Sequence, residues 1–196
     1  TLRQKILVYY LSEAALYGRD ILFDQNGAYN LRIRKMLETV YCEYKGNRNT
    51  DDFQAMTTYL KRVWFSNGIH HHYGCEKFVP GFSQEFFRNA LKSVSRQNLP
   101  LKSGQTVDKL CAEIFPIIFD PTIMPMRVNL KAGDDLIKTS AANYYGTDIS
   151  QQEVEAFYAD MRQKGDPECP VMYGLNSQLV KKDGQLQERV WSTTGM

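Results

Sequence analysis

The sequence predicts an α+β chain, with a predominantly helical N-terminal part followed by a small β hairpin. Apolar residues recur every three or four positions over most of residues 1–119, which is the period of helices that bury one face. Near the C-terminus, two short strand-like segments flank Asp183 and Gly184, a dipeptide typical of tight hairpin turns. A chain of 196 residues is long enough to bury a proper core.

The first helix is predicted over residues 2–17, and a further helical turn over residues 20–23. Residues 24–27, Asp-Gln-Asn-Gly, predict a turn because an Asn-Gly step tolerates positive φ. We expect the apolar stripe of the first helix to lie in the core; it consists of Leu2, Ile6, Leu7, Tyr10, Leu11 and Ala14.

Two more helices are predicted before the only histidines. One runs over about residues 29–44, and the next follows Thr50, a good N-cap, and ends near residue 66. Gly68 lies where a C-terminal cap is expected. Their core-facing stripes are predicted to be Ile33, Leu37, Val40, Tyr41 and Tyr44 in the first, and Phe53, Met56, Leu60, Val63 and Trp64 in the second.

Beyond the histidines, Ser83 and Thr106 are predicted to open a fourth and a fifth helix. Pro116 should kink or end the fifth, because proline cannot donate the helical hydrogen bond. The proline-rich residues 119–129 predict irregular structure. We therefore divide the chain into a helical part, residues 1–119, and an α+β part, residues 120–196.

In the second part, residues 136–145 are ambiguous and could form a strand. Ser150 and Glu153 form a capping box, so a helix should begin there and close at residues 165–167, Gly-Asp-Pro. Strands are predicted over about residues 171–181 and 186–191. A lone hairpin is marginal in water, so it needs further strands or a helix to pack on.

Composition excludes several classes of protein. The net charge of +2 is too small for an electrostatic nucleic-acid binder, and the basic residues are scattered. No apolar run approaches the roughly 20 residues of a membrane span. The first residues form no signal peptide, although a start at Thr1 leaves an upstream segment open. The widely spaced Cys42, Cys75, Cys111 and Cys169 predict reduced thiols.

No catalytic motif stands out among the polar residues. The sequence has no phosphate-binding glycine loop and no paired carboxylates in an apolar setting. His70, His71 and His72 with nearby Cys75 are the only dense set of metal-ligand types. Three consecutive histidines cannot all reach one ion from an ordinary backbone, although His70 and His72 could in an extended loop. We predict no native metal site in this chain.

Several segments of the sequence resemble the N-terminal part of bacterial dipeptidyl peptidase III enzymes, which are zinc metallopeptidases. The resemblance runs over essentially the whole chain, whereas the family's zinc signature, His-Glu-x-x-Gly-His, does not occur in it. These segments are residues 10–16 (YLSEAAL), 18–26 (GRDILFDQN), 63–73 (VWFSNGIHHHY), 77–80 (KFVP) and 173–177 (YGLNS).

The resemblance implies a two-lobed hydrolase that releases dipeptides from the N-terminus of oligopeptides. Its upper lobe would hold zinc, whose bound water attacks the peptide. This chain would be most of the lower, substrate-binding lobe, and its hairpin would contribute to a partial β-barrel. Its partners would be the oligopeptide substrate and the missing C-terminal catalytic lobe. The fragment alone should be inactive and hold no cofactor, with zinc in the full-length parent.

By the same resemblance, the loop after the third helix should face the peptide cleft. Tyr73 is the first choice for a substrate-contacting ring, with Asn67, His71 and His72 as further candidates, and no catalytic residue is expected in this chain. A competing interpretation from another class is a stand-alone helical module that binds a peptide or protein without catalysis. The downstream coding sequence, read for the zinc signature, separates the two.

Overall fold

The computed structural model describes residues 1–166, 168 and 176–191. Most of these residues are helical, and two strands form an antiparallel sheet, so the predicted α+β class is confirmed. A short 3-10 helix spans Arg96–Asn98. The helices and strands are α1 (Leu2–Tyr17), α2 (Arg19–Asn26), α3 (Asn30–Glu43), α4 (Asp51–Ser66), α5 (Gln84–Ser93), α6 (Val107–Phe119), α7 (Gln151–Lys164), β1 (Ser177–Lys182) and β2 (Gln185–Val190).

Four helices begin where a capping side chain predicts that they should. The hydroxyl groups of Thr50, Ser83, Thr106 and Ser150 each accept a hydrogen bond from the backbone N–H three residues later. At Ser150 the predicted capping box is also present, because the Glu153 carboxylate accepts a hydrogen bond from the Ser150 N–H at 2.9 Å. These caps satisfy backbone donors that a helix start otherwise leaves unpaired.

The main core lies among α3, α4, α5 and α6. Most residues of the predicted α3 and α4 stripes are buried in it, but Tyr41 and Trp64 are exposed and Tyr44 is only partly buried. Trp64 is 40% exposed, since its indole N–H donates to a Glu38 carboxylate oxygen at 2.8 Å on the surface. The largest fully buried side chains of this core are Tyr59, Phe87, Ile33, Met36, Leu37, Met56, Leu60, Ile69, Leu91, Leu110, Ile114 and Ile118.

The prediction that the α1 stripe lies in the core is wrong. The helix itself forms over the predicted residues, but it contains no buried residue. Its apolar side chains are distributed around the helix and stay 45% to 77% exposed; they are Leu2, Ile6, Leu7, Val8, Tyr9, Tyr10, Leu11, Leu16 and Tyr17. Periodicity shows that a helix could bury a face, but not that another element covers it. No helix of the described residues is long and apolar enough to cross a membrane.

Three local predictions are corrected. The turn expected over residues 24–27 is the last turn of α2, which Gly27 ends. Of the two outcomes predicted for Pro116, a kink or a helix end, the end is wrong, because α6 continues to Phe119. Pro116 and Ala112, four residues earlier, are both exposed, so the carbonyl that the proline leaves unpaired is on the solvent side. Residues 136–145 form no strand, only an isolated bridge between Tyr145 and Leu179.

A second, smaller apolar cluster joins α7 to the hairpin through Ile149, Val154 and Leu179. The hairpin turn is confirmed, since Asp183 and Gly184 have φ values of 51° and 77°. Positive φ at both central residues is the type I′ geometry that matches strand twist. The predicted start of the first strand, residues 171–175, lies outside the described residues. The division at residues 119 and 120 stays a prediction.

The cysteines that the structure describes carry free thiols, at Cys42, Cys75 and Cys111. Cys169 lies outside the described residues.

Candidate functional site

The candidate site is built on the loop after α4, residues 67–78, which we call the histidine loop. It starts at Asn67, which caps α4 in the left-handed conformation with φ 52°. The sequence pattern predicts Gly68 as this cap; instead, Gly68 is the next residue, and its N–H donates to the Val63 carbonyl at 3.0 Å. Asparagine tolerates left-handed φ better than most residues. The backbone geometry therefore explains Asn67 without a ligand.

Asn30, at the start of α3, holds the first part of the histidine loop. Its buried side-chain amide donates to the Phe23 carbonyl at 3.2 Å and accepts from the Ile69 N–H at 3.3 Å. A Cβ atom on Gly68 would lie 2.4 Å from the Asn30 amide nitrogen, so the backbone approaches closely only because Gly68 has no side chain. One side chain thus joins α2, α3 and the loop.

Lys77 holds the other end of the loop. Its ammonium group donates to the carbonyls of Ile117, at 3.0 Å, and of Asp120 and Ile123. These carbonyls lie at and just after the end of α6, where the helix dipole favours a positive charge. Burial lowers the pKa of Lys77 from its ordinary value. Lys77 is therefore a structural cation that closes α6.

Arg127 holds the middle of the histidine loop through hydrogen bonds to its backbone. Its guanidinium group donates to the His72 carbonyl at 2.9 Å and to the Asn26 side-chain oxygen at 3.2 Å. Its backbone N–H donates to the Cys75 carbonyl at 2.7 Å. The histidine loop is thus attached to α2, to α6 and to the segment after α6, and it presents its outer side chains from a supported backbone.

His70 is a structural residue on the inner side of the loop. Its Nε2 lies 2.8 Å from the Met124 carbonyl oxygen, which can only accept, so Nε2 carries the proton. Burial is the main cause that lowers the pKa of His70, and the charges of Lys77 and Arg127 lower it further. A neutral imidazole is what this site stabilises.

This burial predicts a pH dependence of stability. The unfolded chain protonates His70 near its ordinary pKa of 6.5, and the folded chain only at lower pH. Below about pH 6.5 the unfolded state therefore binds more protons than the folded state, and stability decreases as the pH is lowered. We expect the urea midpoint to drop between pH 7.5 and 5.5, above the range in which ordinary carboxylates titrate. His70→Gln, whose amide can still donate to Met124, should flatten this profile; an unchanged slope would contradict the assignment.

The outer side of the loop carries His71, His72 and Tyr73. Nδ1 of His71 accepts hydrogen bonds from the N–H groups of Tyr73 and Gly74 at 3.3 and 3.0 Å, so its proton is on Nε2. Although this Nδ1 lies 4.0 Å from a Glu76 carboxylate oxygen, it has no proton to donate there. Tyr73 is 85% exposed, and its ring centroid is 4.7 Å from that of His72.

A groove of about 580 Å³ lies between α4 and the histidine loop, and we call it the α4 groove. Its α4 side is the helix face opposite the core stripe. Phe65 meets the His72 ring edge-on at 4.9 Å, and the His71 and Phe78 rings are 6.1 Å apart. The groove is lined by Thr58, Lys61, Arg62, Phe65, Ser66, His71, His72, Glu76 and Phe78.

The structure brings three of the four predicted site residues together. His71 and His72 line the α4 groove, Tyr73 lies beside His72, and Asn67 serves the backbone turn. Sequence reasoning missed Lys61, Arg62 and Phe65, and counted the two cations only among the scattered basic residues. The missed signal is a second stripe at spacings of three and four residues, opposite the buried one.

Within the described ranges, no three histidine, cysteine or acidic side chains lie close enough together to hold a metal ion. Comparisons with known proteins add no further assignment. No protein-family model matches the sequence, and no curated protein matches it.

Proposed function

We propose that this chain is the substrate-binding part of a dipeptidyl peptidase III-like zinc exopeptidase, and that the histidine loop contacts the peptide. The observation that carries the proposal is the supported presentation of Tyr73 and His72 beside a groove. The family-like words around residues 63–80 are densest in this same loop. Zinc and the catalytic residues would come from polypeptide outside this sequence.

The exposed surface of α1 supports the same proposal. A helix with this many apolar side chains normally packs against other protein, yet no residue of α1 is buried here. In a two-lobed enzyme, polypeptide from outside these 196 residues would pack around α1. The small two-stranded sheet would likewise gain neighbours in the partial β-barrel, because a lone hairpin is marginal in water.

The same α1 surface also favours the second candidate, a helical interaction module without catalysis. In that case a separate partner would cover α1, in the way that a groove receives an apolar helix. The two candidates differ in what the gene encodes downstream. A His-Glu-x-x-Gly-His motif in the downstream sequence supports the exopeptidase, and a downstream sequence without this motif rejects that proposal.

The kinetic test is Tyr73→Ala in the whole enzyme. If Tyr73 forms one face of a peptide subsite, its loss should lower kcat/KM about tenfold to a hundredfold. Stability should hardly change, because a ring that is 85% exposed contributes little to the core. Steady-state kinetics on dipeptidyl-arylamides and a thermal melt of the same protein measure both quantities.

Tyr73→Phe is the matched control, since it keeps the ring and should retain most of the activity. A Tyr73→Ala enzyme with normal kinetics and a lowered Tm would show a structural role and reject the substrate contact.

A further inference from the structure

The α4 groove has a charge pattern that the proposed peptide contact does not by itself explain. Lys61 and Arg62 lie on its α4 side. Across the described part of the chain, neither has a hydrogen bond or an ion pair; the Arg62 guanidinium only lies 6.0 Å from the centre of the Phe78 ring.

The rest of the groove is mostly apolar and aromatic. Phe65 is 73% exposed at its edge, and Phe78 and His72 supply further ring surface. Ring surface and two positive charges in one groove complement a ligand that carries both an apolar and an acidic group. The volume of about 580 Å³ is within the usual range for sites that take small ligands.

The positive and negative charges of the groove lie on opposite sides of it. The unpaired cations are on α4, whereas the carboxylate of Glu76 is on the histidine loop, near His71. His71 has its proton on Nε2, so this nitrogen is a hydrogen-bond donor. An acidic group is therefore attracted to the α4 side, whereas the positive charges of Lys61 and Arg62 would repel a cation there.

We infer that the α4 groove binds a peptide segment that carries an acidic side chain next to an aromatic one. The acid would pair with Lys61 and Arg62, and the aromatic ring would pack against Phe65 and Phe78. This inference rests on the proposed function and names its substrate class, namely oligopeptides with an acidic residue in the segment that crosses α4. Arginine and lysine both suit this role, since a carboxylate can accept from either.

The test is an NMR titration of the ¹⁵N-labelled chain with two matched pentapeptides, Ala-Ala-Glu-Phe-Ala amide and its glutamine counterpart. We expect the glutamate peptide to bind about fivefold more tightly at low salt, and its advantage to shrink at high salt. Amide shifts should concentrate in residues 58–78. In the double variant Lys61→Gln, Arg62→Gln, both peptides should bind equally.

The matched control is Lys45→Gln, Lys109→Gln, which removes the same charge from exposed positions away from the groove. It should keep the preference for the glutamate peptide. Equal binding of both peptides at residues 58–78 in the wild type would overturn the acidic preference and leave peptide binding intact. Binding at residues outside this range, or no binding of either peptide, would overturn the inference. The proposed exopeptidase function is tested separately, by the zinc signature in the downstream sequence and by the Tyr73→Ala kinetics.

Discussion

Replacing Leu37 with alanine is expected to lower the free energy of unfolding by about 2–5 kcal/mol, whereas Leu11→Ala should change it by less than about 0.5 kcal/mol. Leu37 is fully buried among α3 and its neighbours, so truncation leaves a cavity and removes apolar contacts. Leu11 is 60% exposed on α1, where alanine loses little contact and is a good helix former. Urea unfolding of both variants at one pH measures the difference.

The two variants are informative together because the sequence pattern predicts that both leucines lie on core-facing helical stripes. A large loss for Leu11→Ala would show that α1 belongs to the core of this chain, and would remove the support that α1 gives to a covering polypeptide. Leu11→Ala should also reduce any self-association of the chain, because less apolar surface is exposed. Sedimentation at several concentrations checks this second outcome.

Asn30→Ala is expected to lower the free energy of unfolding by about 2–4 kcal/mol and to loosen the histidine loop. The substitution leaves the Phe23 carbonyl and the Ile69 N–H without their buried partner. A buried group that loses its hydrogen bond costs about 1–3 kcal/mol. Urea unfolding gives the stability, and hydrogen exchange at Ile69 reports the loop locally, since its amide should exchange faster in the variant.

Asn89→Ala is the matched control, since Asn89 is exposed on α5 and alanine suits a helix. It should leave stability nearly unchanged. Gly68→Ala should reproduce the Asn30→Ala effect from the other side, because its Cβ would displace the Asn30 amide. If the Ile69 amide exchanges at the same rate in Asn30→Ala as in the wild type, Asn30 does not hold the loop.

The sequence by itself determined the features that depend on neighbouring residues. Thr50, Ser83, Thr106 and Ser150 mark helix starts because a hydroxyl group reaches the N–H three residues later, whatever the rest of the fold does. The turn at Asp183 and Gly184 follows from the positive φ that a tight hairpin requires. The position of the candidate site in the loop after α4 also came from the sequence, through the clustered rings and the family-like words.

Only the tertiary structure decided which apolar stripes are buried and what the loop residues do. Leu11 and Leu37 differ because α3 is covered by other helices and α1 is not, and periodicity carries no information about a covering surface. Lys77 closes α6 by binding the Ile117 carbonyl, which is 40 residues further along the chain. Lys61 and Arg62 became candidates only once the loop folded back beside α4 without forming an ion pair with either of them. Long-range contacts of this kind depend on the path of the whole backbone, which local residue patterns do not encode.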